Sequence, residues 1–137
     1  MLDAAARDLL DLSGVATLTT LMATGAPQST IMWYRRVDDV LRLIAPASAV
    51  KARNIERDSR VSVVVTHPEN PYHYLEVRGN ATVLHNDSGA REELRHIARR
   101  YIGERADTYV GELSSAERVI VEIPLQRVRL YVGQRPD

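Results

Sequence analysis

Apolar residues recur with helical spacing at the start of the chain and with a period of two through most of the remainder, and the switches between these rhythms divide it into elements. Leu2, Ala5, Ala6, Leu9, Leu10 and Leu12 form one stripe ahead of Gly14, which predicts a short amphipathic helix over Leu2 to Leu12. The β-branched run Val15 to Met22 predicts a strand, Ala23-Thr24-Gly25-Ala26 a turn, and Pro27 to Val37 the strand that completes a hairpin. Asp38-Asp39 turns the chain into a third strand, Val40 to Ala45, closed by Pro46. A short basic helix comes next, with Ser48 as its N-cap, and then Arg60 to Thr66, whose valines suit a strand covered on both faces. After the break His67-Pro68-Glu69-Asn70-Pro71, the alternation from Tyr72 to His85 predicts one long strand, with Gly79 marking a bulge or a close backbone approach. Leu94, Ile97, Ala98 and Tyr101 make the apolar stripe of a helix over Ser88 to Ile102, ended by Gly103, and Glu92 and Glu93 are expected on its solvated face. Two last strands, Arg118 to Ile123 and Arg127 to Val132, flank Pro124. Short connections rule against parallel crossovers, so the expected class is α+β: a small, mostly antiparallel barrel with flanking helices, in one domain of 137 residues, 1–137.

Composition narrows the chemistry. Basic and acidic residues balance at 18 each, so no global field favours nucleic acid or an acidic membrane, and a basic site must be local. Cysteine is absent, which removes disulfides, thiol catalysis and thiolate metal sites and fits a reducing compartment. With no secretion signal and no apolar run of membrane-spanning length, a cytoplasmic protein is expected. The four histidines lack ligand spacing and no Gly-x-Ser-x-Gly elbow occurs, so neither a metal site nor a nucleophile is expected.

Against that background the stretch from Ser48 to Asp58 stands out. Of the 18 basic side chains only Lys51 is a lysine, and it falls in the first turn of a helix, where free amides and the positive end of the helix dipole favour a phosphate. The same features fit a capped, solvated surface helix. Gln28 and Thr30 share one face of the second strand, beside Trp33, and could grip a planar ring, although Trp33 could equally be core. Tyr72 and Tyr74 share a face and offer an aromatic wall with hydroxyl donors, or simply a half-exposed strand face.

These pieces coincide in one family. Val15-Ala16-Thr17-Leu18, the hairpin Gly25-Ala26-Pro27-Gln28, the run Ser48-x-x-Lys51-x-x-Asn54-Ile55-x-x-Asp58-x-Arg60-Val61-Ser62, and Tyr74 followed by Glu76-x-x-Gly79-x-Ala81 together resemble the split β-barrel flavin and deazaflavin binders related to pyridoxamine 5'-phosphate oxidase. The resemblance implies a homodimer with the cofactor at the subunit interface. It places Ser48, Lys51, Arg53 and Asn54 around the cofactor phosphate, Gln28 and Thr30 along the ring system, and Tyr74 approaching from an adjacent strand or subunit. The Ser-x-x-Lys-x-x-Asn form and the short length resemble the actinobacterial branch that uses the deazaflavin coenzyme F-420. FMN oxidases show a Ser-x-Lys arrangement and a longer C-terminal region with substrate-phosphate residues, so pyridoxal phosphate synthesis is not implied. The expected activity is hydride transfer between reduced F-420 and an organic acceptor, with no catalytic side chain assigned. An FMN-binding oxidoreductase, or a non-catalytic flavin or haem binder, is the alternative on the same fold.

Overall fold

The computed structural model describes residues 2–134. Helix α1 (Ala4–Leu10) is capped by the Asp3 carboxylate, which accepts from the Ala5 amide at 2.8 Å, and buries Ala6, Leu9 and Leu10. Strands β1 (Ala16–Leu21) and β2 (Pro27–Met32) form the expected hairpin, in register from Ala16 opposite Met32 to Leu21 opposite Pro27, around Gly25 at a φ of 87°.

The strand expected to run to Val37 breaks at Trp33 and Tyr34. Tyr34 turns inward, fully buried, and donates its hydroxyl hydrogen to the Leu10 carbonyl at 2.7 Å, so the chain bends and restarts as β3 (Arg35–Val37) in a different sheet. The same happens at Ala81, where the long strand expected from Tyr72 to His85 divides into β6 (His73–Asn80) and β7 (Thr82–Leu84). No bulge occurs at Gly79, which sits opposite Val61 in unbroken register. The remaining strands are β4 (Val40–Pro46), β5 (Arg60–Thr66), β8 (Arg118–Pro124) and β9 (Arg127–Val132).

One sheet runs β2-β1-β5-β6-β9 and the other β3-β4-β8-β7, with every pairing antiparallel. Two strand corners shared by two sheets make the α+β split barrel expected from the sequence. Inward residues of both sheets, among them Leu18, Leu41, Leu43, Val63, Val65, Leu75, Val77, Val121 and Ile123, form the core. In β5 only Val61, Val63 and Val65 are buried, so one face is fully covered rather than two.

Helix α2 (Val50–Arg57) fills the turn between β4 and β5, and α3 (Asp87–Ile102) packs beside β4 and β8. Glu93, expected in solvent, is 4% exposed and pairs with Arg35 at 2.6 Å and Arg42 at 3.1 Å. Arg42 also reaches Glu122 at 2.9 Å, so the carboxylate is buried only because two cations follow it inward. After Gly103, at a φ of 56°, a 3₁₀ turn leads into helix α4 (Ala106–Gly111), an element not among those expected from the sequence. Ala106, Tyr109, Val110 and Leu113 stand at i, i+3, i+4 and i+7, but a helix of six residues is too short for that spacing to announce it. Among the described residues no helix is long and apolar enough to cross a membrane.

Candidate functional site

Helix α2 begins one residue later than the sequence suggests. Ala49, in extended conformation, is the N-cap and makes no side-chain cap, while Ser48 lies exposed in the preceding turn. The capping role expected of Ser48 is therefore not the one it has: Pro46 and its turn, closed by the Ala49 amide donating to the Pro46 carbonyl at 3.0 Å, already set the entry angle of the helix. The first-turn amides without intrahelical acceptors become those of Val50, Lys51 and Ala52.

Ala52 and Ile55 fix the inner face of α2, and this sends Lys51 and Arg53 to different sides. Arg53 is exposed. Lys51 enters a cavity of about 230 Å³ between the end of β2, β4, α3, α4 and the start of β8. Its floor is apolar, from Met32, Ile44, Leu94 and Ile97, and its aromatic side is made by Trp33 and Tyr109. Trp33 arrives there because the chain bends at the β2–β3 corner. It stacks on Tyr101 at 4.9 Å with the rings 4° from parallel, and meets Tyr109 at 5.5 Å and 51°. Tyr101 is held in turn, its hydroxyl donating to the Gly14 carbonyl at 2.6 Å. Arg100 donates to the carbonyls of Tyr34 and Leu12, so the corner is a rigid mount for the indole.

Two cations face this cavity and, among the described residues, no carboxylate lines it. Burial lowers the pKa of Lys51, with no neighbouring charge to offset it. Arg118 is the second cation, and no sequence motif singles it out. Its backbone amide donates to Asp87 Oδ1 at 2.7 Å, and one guanidinium nitrogen donates to Ser114 Oγ at 3.2 Å. The Arg118 amide and the Arg91 guanidinium together hold the Asp87 carboxyl below the usual range. Arg118 Nε, by contrast, is buried with no acceptor. A buried donor left unpaired costs about 1–3 kcal/mol, and a charged one more. Outside it, His85 contacts Glu56 of α2 at 3.0 Å and Glu117, the neighbour of Arg118, at 3.2 Å, bracing the elements that carry both cations. The carboxylates of Glu117 and Glu56 raise the imidazole pKa and favour its doubly protonated form.

The other expected site residues form a separate group. Asn54 is 3% exposed, and its amide donates to Thr20 Oγ1 at 3.0 Å and to Met22 Sδ at 3.3 Å while accepting from Arg57 at 2.8 Å. Thr20 donates to Gln28 Oε1 at 3.3 Å, and Gln28 donates to Thr30 Oγ1 at 3.2 Å. Gln28, Thr30 and Asn54 thus share one hydrogen-bond chain that ties α2 to β1 and β2, and Asn54 is engaged inside the fold rather than beside Lys51. Tyr74 stacks on Tyr131 at 4.7 Å, on β6 and β9. Along the sheet β6 is three strand spacings from β2, roughly 14 Å, so this chain alone does not bring Tyr74 to Gln28 and Thr30.

A family model described as pyridoxamine 5'-phosphate oxidase matches residues 2–131. The chain belongs to this family. Among solved structures, an F420 reductase superposes on the pyridoxamine 5'-phosphate oxidase-like barrel with a TM-score of 0.75 at 28% identity, covering 93% of this chain and 98% of that one. A conserved hypothetical protein, Rv2991, from Mycobacterium tuberculosis does so with a TM-score of 0.79 at 26% identity, over 96% of this chain and 84% of that one. The general stress protein 26 of Bacillus anthracis, at 16% identity and a TM-score of 0.68 over 92% and 90% of the two chains, shares the fold alone. No curated protein matches the chain. The family expected from the hairpin and the run Ser48 to Ser62 is the family to which the chain belongs.

Proposed function

We propose that this chain is a coenzyme F-420-dependent oxidoreductase acting on an organic molecule, and that it works as a homodimer. The observation that carries the reading is the pairing, in one apolar and aromatic cavity, of Trp33 and Tyr109 with Lys51 and Arg118, two cations with no carboxylate among the described lining residues. Planar aromatic walls suit a ring system, and uncompensated cations suit its phosphate. The 28% identity to an F420 reductase over nearly the full length of both chains favours the deazaflavin over FMN.

When bound, the coenzyme supplies the hydride chemistry. The chain's own residues do the rest. Lys51 and the free amides at the start of α2 would hold an anionic group in place, and Trp33, fixed by Tyr101, would offer its ring an aromatic wall. Met32, Ile44, Leu94 and Ile97 exclude water, which strengthens the contacts of both cations. The cavity, at about 230 Å³, is smaller than the roughly 300 Å³ at which drug-sized sites begin. A second copy would enlarge it and is the source from which Tyr74 would join the site.

Titration of the purified protein with F-420 and, separately, with FMN, followed by cofactor fluorescence, tests the proposal. F-420 should bind more tightly, and to a species with the mass of two chains by sedimentation. Tighter binding of FMN would move the reading to the FMN-dependent branch, and binding of neither below the high micromolar range would refute it.

A further inference from the structure

We infer that the groove between Trp33 and helix α4 is a second ligand seat, for a small molecule with an aromatic ring that bears a carboxylate at one end and an ammonium at the other. The seat goes beyond the coenzyme reading and does not depend on which coenzyme fills the neighbouring cavity. The groove has a volume of about 400 Å³ and is lined by Trp33, Ile102, Arg105, Thr108, Tyr109 and Glu112, so it shares Trp33 and Tyr109 with the cavity of Lys51. Its volume falls within the roughly 300–1,000 Å³ usual for small-molecule sites.

Helix α4 sorts its charges by face. Asp107 is held by Arg95 and Arg99 of α3, at 3.2 Å each. Arg105, Thr108, Tyr109 and Glu112 stand at i, i+3, i+4 and i+7 and so run along the groove. All four are exposed, within reach of a ligand, and among the described residues neither Arg105 nor Glu112 has an ion-pair partner. Seven residues of helix separate their Cα atoms by about 10 Å, beyond the three- or four-residue spacing at which two such charges meet. The groove therefore offers an unspent cation at one end and an unspent carboxylate at the other. Between them lies an aromatic corner: one face of Trp33 is taken by Tyr101, and Tyr109 meets the indole at 5.5 Å and 51°. A ring lodged in the corner gains apolar burial against Ile102, while the Arg105 guanidinium donates to its carboxylate and Glu112 accepts from its ammonium. An acid or an amine alone engages only one end.

The test uses the whole chain. Trp33 is the single tryptophan, so its indole Nε1–H is one resonance, followed in a ¹⁵N-labelled sample during titration with 4-(aminomethyl)benzoate, benzoate or benzylamine. A saturable shift is expected with 4-(aminomethyl)benzoate, which should bind more tightly than either single-ended compound. Arg105→Gln should weaken its binding about tenfold and remove its advantage over benzylamine, and Glu112→Gln should remove its advantage over benzoate. Arg105→Lys should restore part of the loss. No saturable shift, or binding that neither Arg105→Gln nor Glu112→Gln weakens, would overturn the seat. Binding lost in Lys51→Ala and kept in Arg105→Gln would move the compound into the neighbouring cavity and overturn it too. If F-420 or FMN binds the wild type while none of the three compounds moves the indole signal, the seat is refuted and the coenzyme reading stands. If 4-(aminomethyl)benzoate binds through Arg105 and Glu112 and neither coenzyme binds, the seat stands and the coenzyme reading falls.

Discussion

Among the described residues, Lys51 has no ion-pair partner. Burial with no compensating carboxylate lowers its pKa, and an anion in the cavity would raise it again. Protonation and anion binding are therefore linked with a definite sign: affinity is full at pH values below the pKa of the free protein's Lys51 and declines as pH rises through it. Because that pKa lies below the ordinary lysine value of about 10.4, the decline should begin earlier than for an exposed lysine. Lys51→Ala should weaken coenzyme binding by about 1–3 kcal/mol and abolish this alkaline limb. Affinities measured from neutral to alkaline pH check both, and an unchanged pH profile in the variant would place the phosphate elsewhere. Lys51 is legible in the sequence because it is the one lysine among 18 basic residues. Arg118 is not, because an arginine at the start of a strand looks like any other until burial strips its Nε of partners.

At the scale of elements, Asn54 shows how a motif residue can be recognised and its local role missed. The spacing Ser48-x-x-Lys51-x-x-Asn54 puts Lys51 and Asn54 three residues apart on neighbouring faces of α2, yet only the tertiary packing of α2 on β1 decides that Asn54 turns toward Thr20 and Met22. Asn54→Leu should destabilise the fold by about 1–3 kcal/mol, because Thr20 and Arg57 lose a buried partner, while coenzyme affinity is retained. Urea unfolding alongside coenzyme titration separates the two effects. Lost affinity at unchanged stability would return Asn54 to the phosphate. Helix α4 escapes the sequence pattern for a different reason: six residues carry too few turns for a period to declare itself beside the longer α3, although Ala106, Tyr109, Val110 and Leu113 do align. Without it Tyr109 and Leu113, which close one side of the cavity, stay hidden. The corner at Trp33 and Tyr34 is likewise invisible, since an apolar run reads the same whether the strand continues or bends into another sheet. Tyr34's bond to the Leu10 carbonyl is a contact between distant parts of the chain, which no local pattern encodes.

For the whole molecule, the strand order comes from antiparallel hairpins and two corners, so the class and the core are readable from alternation alone, while the division into two sheets is not. That division creates the site. It is the bend from β2 to β3 that carries Trp33 out of the sheet and against Tyr101, and the run of β4 into α2 that places Lys51 across from it. The sequence holds a single tryptophan, so its emission reports on Trp33 alone. The most direct measurement of whether the coenzyme ring lies in this cavity is Trp33 emission during a titration with F-420, in the wild type and in Lys51→Ala. Saturable quenching at the same midpoint as coenzyme binding, shifted to higher concentration in the variant, is the predicted result. Coenzyme binding that leaves Trp33 emission unchanged would contradict the account, because the ring would then lie outside the cavity between Trp33 and Lys51.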